Sequence, residues 1–247
     1  MTIYLPIAEI PVAIFTIFAM GLAVGFISGM FGVGGGFLMT PLLIFTGVPA
    51  AVAVASVSAH MAASSFSGAL SDLRKGLIDL PLAGFLLGGG LVGTGLGVAA
   101  FALMRALGQV DLLISVSYVL LLTGVGTLML VESVRFILRA WGGAKPSIRR
   151  PGTHGWFLRL PLKMRFRRSR IYVSVIPVVA LGLGVGFLGA LLGVGGGFLL
   201  VPALIYLLRV PTQTSIGTAL VLTLVTMVSA TIMRAAFNGC LLYTSRR

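Results

Sequence analysis

A glycine cluster that no continuous helix tolerates occurs twice in this chain, each time inside an apolar stretch. Residues 25–41 read GFISGMFGVGGGFLMTP and residues 186–202 read GFLGALLGVGGGFLLVP, an offset of 161 that keeps every glycine of the GVGGG core and the following proline in register. The sequence is an internal duplication. It is also 58% hydrophobic and only 9% charged, with a mean hydropathy of +1.11, whereas a soluble domain carries about a quarter charged residues. The duplicated segments therefore belong in a bilayer. There a broken helix persists only where protein or a polar cavity satisfies the freed backbone groups, and paired breaks in corresponding halves point to a transporter's binding site.

Stretches apolar and long enough to cross about 30 Å of hydrocarbon run over residues 11–30, 50–70, 81–104, 112–131, 172–192 and 212–233. The pieces at 37–45 and 198–208 that follow the glycines are too short to cross alone and are expected as half-helices. The expected fold class is all-α, a polytopic transmembrane helical bundle with an internal duplication and glycine-broken helices. Residues 1–131 form a first unit of four spans, 132–171 a basic loop, 172–239 a second and incomplete unit. Four crossings per unit imply repeats related by an axis along the membrane normal, since inverted repeats need an odd number. The last residues, 240–247, read CLLYTSRR; CLLYTS resembles the translation of a sequencing-library adapter, so the natural sequence is expected to stop near Asn238 or Gly239.

Charge bears on topology. The net charge of +13 is concentrated, because eleven of the eighteen Lys and Arg lie between Arg135 and Arg170. A basic segment between spans is a positive-inside signal, so the 132–171 loop is expected in the cytoplasm at anionic lipid headgroups, and nucleic acid is not expected as a partner. Counting four crossings back puts the N-terminus in the cytoplasm as well. The first apolar stretch lacks a charged leading region and recurs in the second half, so it reads as a retained span and not a signal peptide. One cysteine, Cys240, and two histidines, His60 and His154, give no metal-ligand cluster; neither metal nor cofactor is expected.

Three consecutive glycines leave backbone N–H groups unshielded, and a helix starting just after them turns its positive end toward the break. Gly34, Gly35 and Gly36, with Gly195, Gly196 and Gly197, are thus candidate anion donors. Pro41 and Pro202 are expected within the first turns of the half-helices, where a missing N–H costs least. Packing through small residues is the competing account. In the helix that follows Pro49 or Pro211 the offset becomes 162, pairing Ser56 with Thr218, Ser64 with Thr226 and Ser67 with Ser229. At about 100° per residue each trio forms one hydroxyl stripe, whose competing reading is again close packing. Ser56 and Thr218 are the candidates there to complete the site.

His60 lies on the same face and is the one ionisable side chain well inside a span, a functional candidate by default and the only proton relay in sight. Its equivalent is Leu222, so the duplication does not require it. Asp72, Asp79 and Asp111 sit at span ends as interfacial charges. Arg234, equivalent to Asp72, is expected to snorkel to the inner interface.

The combination of GVGGGFLMTPLLI with VPAAVAVASVSA, and of GVGGGFLLVPALI with VPTQTSIGTAL, resembles the sulfite exporter TauE/SafE family, also called TSUP transporters. The resemblance implies a bacterial inner-membrane secondary transporter, commonly an exporter, of small sulfur-containing anions such as sulfite, thiosulfate or sulfonates. It does not specify the anion, and assembly as a homo-oligomer is compatible with it. The residues alone leave two alternatives, a membrane scaffold or assembly protein docking through the basic loop, and a permease for another solute or a metal ion. The latter is disfavoured by the lack of a carboxylate inside a span. No buried nucleophile with a base or paired carboxylate suggests an enzyme.

Overall fold

The computed structural model describes residues 2–5, 10–31, 35–141, 163–166, 171–208 and 210–244. It is a helical bundle with two short antiparallel hairpins, in the order β1 Thr2–Leu5, β2 Ile10–Ala13, α1 Ile14–Phe31, α2 Gly36–Phe45, α3 Ala50–Arg74, α4 Leu80–Ala106, α5 Val110–Trp141, β3 Lys163–Phe166, β4 Ile171–Ser174, α6 Val175–Leu192, α7 Gly197–Tyr206 and α8 Thr212–Thr244. Five helices are long and apolar enough to cross a membrane: α3, α4, α5 through Arg135, α6, and α8 through Ala236. At the first of the six expected spans stands α1, counted as a shorter apolar helix over Ile14–Gly29.

The repeat reaches further than its glycine motif. Strand β1 pairs with β2 from Thr2 opposite Ala13 to Leu5 opposite Ile10, and β3 pairs with β4 from Lys163 opposite Ser174 to Phe166 opposite Ile171. Each hairpin runs directly into its helix, and every one of these boundaries is displaced by 161. The equivalence thus begins at Lys163, within the segment read as the basic loop. The two helices after the half-helices, α3 and α8, start 162 apart as expected.

Helix directions overturn the expectation of parallel repeats. Gly89, Gly93 and Gly97 of α4 lie against Val179, Leu183 and Phe187 of α6, the same increment on both, so these two helices run the same way. Along α6 and α8, Val185 clusters with Leu222 and Ala190 with Ala230, so they too are parallel. The break and α7 must then return the chain across the layer between them. In contrast, α3 and α8 are antiparallel: Gly68 meets Leu220, Asp72 meets Gly217, and Ser58 meets Arg234. Equivalent helices that cross in opposite senses belong to inverted repeats, related by an axis in the membrane plane.

A half-helix after a break was expected to leave the crossing count even. In the second unit, whose break is described throughout, the glycine segment and α7 instead make a full return, since α6 and α8 run the same way.

The tightest packing is between α4 and α6. A Cβ at Gly89, Gly93, Gly97, Gly182 or Gly186 would overlap a backbone oxygen of the facing helix, the close approach that small residues permit in membranes. The positions in α1 equivalent to Gly182 and Gly186 are Gly21 and Gly25, and a Cβ there meets nothing. The α1 face exposes Phe15, Phe18, Leu22 and Phe26.

Candidate transport site at the glycine breaks

The second break is fully buried and its backbone is described throughout. α6 ends at Gly193, which caps it in the left-handed region with φ 70° and donates to the carbonyl of Gly189. Gly195 is also left-handed, with φ 74°. Two such residues separated by Val194 reverse the chain within four positions, a course that residues with a Cβ resist. The turn is pressed against α3: a Cβ on Gly193 would stand 2.7 Å from the Val54 carbonyl oxygen and 3.1 Å from Ser58 Oγ. Tyr118 of α5 donates its hydroxyl to the Leu192 carbonyl oxygen at 2.9 Å, holding the end of α6 from the other side.

α7 begins immediately afterwards, and the leading N–H groups of a helix have no intrahelical acceptor. Beside this positive end lies Thr223 of α8. Its Oγ1 is 3.4 Å from where a Cβ on Gly196 would stand, and it is buried with no hydrogen-bond partner. Ser65 Oγ is another buried hydroxyl oxygen without a partner.

The first break is built alike where it is described. A Cβ on Gly35 would meet Val24 Cγ1 at 2.9 Å, and one on Gly196 meets the equivalent Val185 Cγ1 at the same distance. The two breaks touch. A Cβ on Gly36 would stand 2.6 Å from the Val194 carbonyl oxygen, and Met61 fills the space between, with its Cγ 2.9 Å from that position and its Cε 3.2 Å from the one on Gly195. Phe37 and Phe198, one residue into each half-helix, stack with centroids 4.2 Å apart.

Next to the end of α6 sits Arg234 of α8, 8% exposed. Its Nη1 donates to Ser58 Oγ at 3.0 Å and its Nη2 to the Ala190 carbonyl oxygen. The guanidinium carbon lies 4.9 Å from the centre of the Phe101 ring, and Nε is buried without a partner. The expected snorkelling to an interface does not occur, because the α6 terminus supplies free carbonyls and Phe101 an aromatic face inside the bundle.

The family model described as Sulfite exporter TauE/SafE matches residues 17–244. The chain belongs to this family. A probable membrane transporter protein of Bacillus subtilis strain 168, YjnA, is 28% identical over 91% of this chain and 80% of its own length. Probable membrane transporter proteins of Xylella fastidiosa strains 9a5c and Temecula1 are 29% and 31% identical, over 80% of this chain and 64% of their own lengths. No solved structure matches. Together with the membrane-length helices, the TauE/SafE assignment makes this a multi-pass protein of a membrane transporter family.

Of the residues singled out in the sequence of this TauE/SafE member, the fold brings Gly36, Gly195 and Gly196 together around Met61 and Thr223, with Gly35 at the edge, and Gly197 is buried as the first residue of α7. Gly34 lies outside the described residues. Pro41 and Pro202 sit at the sixth position of α2 and α7, past the first turn, so neither has an N–H to give the carbonyl four residues earlier, Phe37 or Phe198.

The hydroxyl stripe divides. Thr218 and Thr226 are buried on α8, each bonded to its own helix, whereas Ser56, His60, Ser64 and Ser67 are exposed on α3. The buried face of α3 carries Ser58, Met61 and Ser65 instead. Those residues and Thr223 went unnoticed in the sequence because α3 and α8 are apolar or small on every side, so no polarity contrast marks the inner face. Arg234 had a signal, a charge deep in an apolar segment, whose meaning depended on neighbours from three other helices.

Proposed function

We propose that this protein is a secondary transporter of small sulfur-containing anions, sulfite, thiosulfate or a sulfonate, working in the export direction across the bacterial inner membrane. The observation that carries the reading is the meeting of the two breaks. Gly36 abuts Val194, and the unpartnered hydroxyl of Thr223 stands beside Gly196 at the positive end of α7. Neutral donors at a helix N-terminus suit reversible binding of an anion without a fixed charge at that point. The inverted repeats support alternating access, in which one half rocks against the other around a central site. Met61 lies between the breaks, which fits an occluded state. The basic segment from Arg135 to Arg170 would rest on anionic headgroups on the cytoplasmic side.

The test is flux of radiolabelled sulfite and of sulfoacetate into proteoliposomes, against empty liposomes. Saturable, protein-dependent flux of either anion supports the reading. Folded protein that carries neither, while binding a partner through its basic segment, would replace it with the scaffold alternative.

A further inference from the structure

The glycine breaks offer only neutral donors, yet a full positive charge is buried a short step away, in a setting that leaves it incomplete. Arg234 is held by neutral groups alone, the Ser58 hydroxyl, the Ala190 carbonyl and the Phe101 face. No carboxylate pairs with it among the described residues. Its counterpart in the first unit, Asp72, is engaged elsewhere, with Lys75 at 4.0 Å. A buried guanidinium without a counter-ion is costly, and a buried N–H without an acceptor adds to the cost. Nε is such an N–H. The environment fixes the guanidinium plane and leaves one edge unsatisfied.

Its location ties it to the break. Ser58, which accepts from Arg234, also donates to the Val54 carbonyl at 2.6 Å and lies 3.1 Å from where a Cβ on Gly193 would stand. On α8, Thr223 and Arg234 are eleven residues apart, which returns to the same face within about 20° and covers about 16 Å of helix. Met227 and Ala230, both fully buried, lie between them on that face. Two unpartnered polar groups of α8 thus mark the ends of one buried line that runs past the end of α6.

We propose that Arg234 is the charge-recognising residue for the transported anion, which it receives through its Nε edge before the anion reaches Thr223 and the α7 terminus. This rests on the transport reading given above. A guanidinium edge presents two parallel N–H groups to two neighbouring oxygens, so the ligand class is an oxyanion with at least two oxygens on one atom, such as sulfite or a sulfonate. A halide, a single round acceptor, is discriminated against. The competing role is purely structural, a side chain capping the α6 carbonyls.

The experiment compares the wild-type chain with Arg234→Gln and Arg234→Lys in proteoliposomes, reading KM and maximal rate for radiolabelled sulfite with chloride as competitor, and the thermal shift of each purified protein on adding sulfite. Expected are a rise in KM of at least tenfold in Arg234→Gln, a smaller rise in Arg234→Lys, no competition by chloride, and loss of the sulfite-induced thermal shift in Arg234→Gln. A wild-type KM in Arg234→Gln, even with lowered thermal stability, would reduce the residue to a helix cap while leaving transport intact. If Arg234→Gln does not accumulate in the membrane, Arg234→Lys decides: an unchanged KM overturns the proposal and a raised one upholds it. Absence of sulfite, thiosulfate and sulfoacetate flux in the wild type is a separate outcome and overturns the transport reading itself, and this assignment with it.

Discussion

Phe37 and Phe198 stack face to face, their ring centroids 4.2 Å apart and their planes 6° from parallel. They occupy the same position in the two units, 161 residues apart. A residue that packs on its own equivalent lies on a two-fold axis, as in a symmetric dimer interface. The antiparallel crossing of α3 and α8, also equivalents, orients that axis: it is perpendicular to the helices and so lies in the membrane plane. The stack therefore sits where the two halves are related, directly beside both breaks.

Topology follows from the axis. With each break and half-helix counted as a return, residue 2 and residue 75 are expected on opposite sides of the membrane. Single cysteines at Thr2 and Lys75, in a Cys240→Ser background, should react with an impermeant maleimide from opposite faces. On that count the basic segment would follow an odd number of traverses, and its charge predicts the cytoplasmic side. Thr2→Cys should therefore label in intact cells and Lys75→Cys only after permeabilisation. Labelling from one face would restore parallel repeats.

Paired glycines supply an internal control for packing. A Cβ on Gly186 would overlap the Gly90 carbonyl oxygen, whereas one on the equivalent Gly25 meets nothing within 4 Å. Gly186→Leu should force α4 and α6 apart and abolish stable accumulation of this chain, while Gly25→Leu should accumulate as the wild type does. Overpacking typically costs about 1–3 kcal/mol and more when backbone is the obstacle. Comparable thermal stability of the two variants in detergent would refute the close α4–α6 contact.

The register of the repeat was legible in the sequence because the backbone demands it: Gly193 and Gly195 adopt positive φ, and no other residue type serves as well at such turns. Orientation was not legible. A ten-residue apolar piece such as α2 or α7 reads the same whether it re-enters on one side or, with the extended glycines before it, returns across the layer. The stripe of Ser56 and Ser64 illustrates a second limit, since a hydroxyl on an all-apolar helix satisfies itself on its own backbone, as Ser64 does on the Met61 carbonyl, and need not face inward. Arg234 shows the reverse, a charge drawn inward by the end of α6.

The break should be sensitive to side-chain volume in function before folding. On Gly196 the nearest obstacle to a Cβ is a side-chain methyl, Val185 Cγ1, and on Gly35 it is Val24 Cγ1. Because these methyls can yield, Gly196→Leu and Gly35→Leu should insert into the membrane yet lose transport by at least tenfold. Preserved flux in both would remove the breaks from the transport path.

Thr223 offers the sharpest separation of stability from function. Its Oγ1 is buried and unpartnered, so the folded chain carries an unmet hydrogen-bonding group that costs about 1–3 kcal/mol. Replacing the hydroxyl by a methyl in Thr223→Val keeps the shape and removes that penalty, so thermal stability without ligand should hold or rise. If the hydroxyl is reserved for an anion at the end of α7, the same change should raise the KM for sulfite several-fold, because the site loses a donor just where the bound anion needs one. Stability and affinity then move in opposite directions. A variant that loses stability and keeps its KM would assign Thr223 to packing against Gly195 and Gly196 alone.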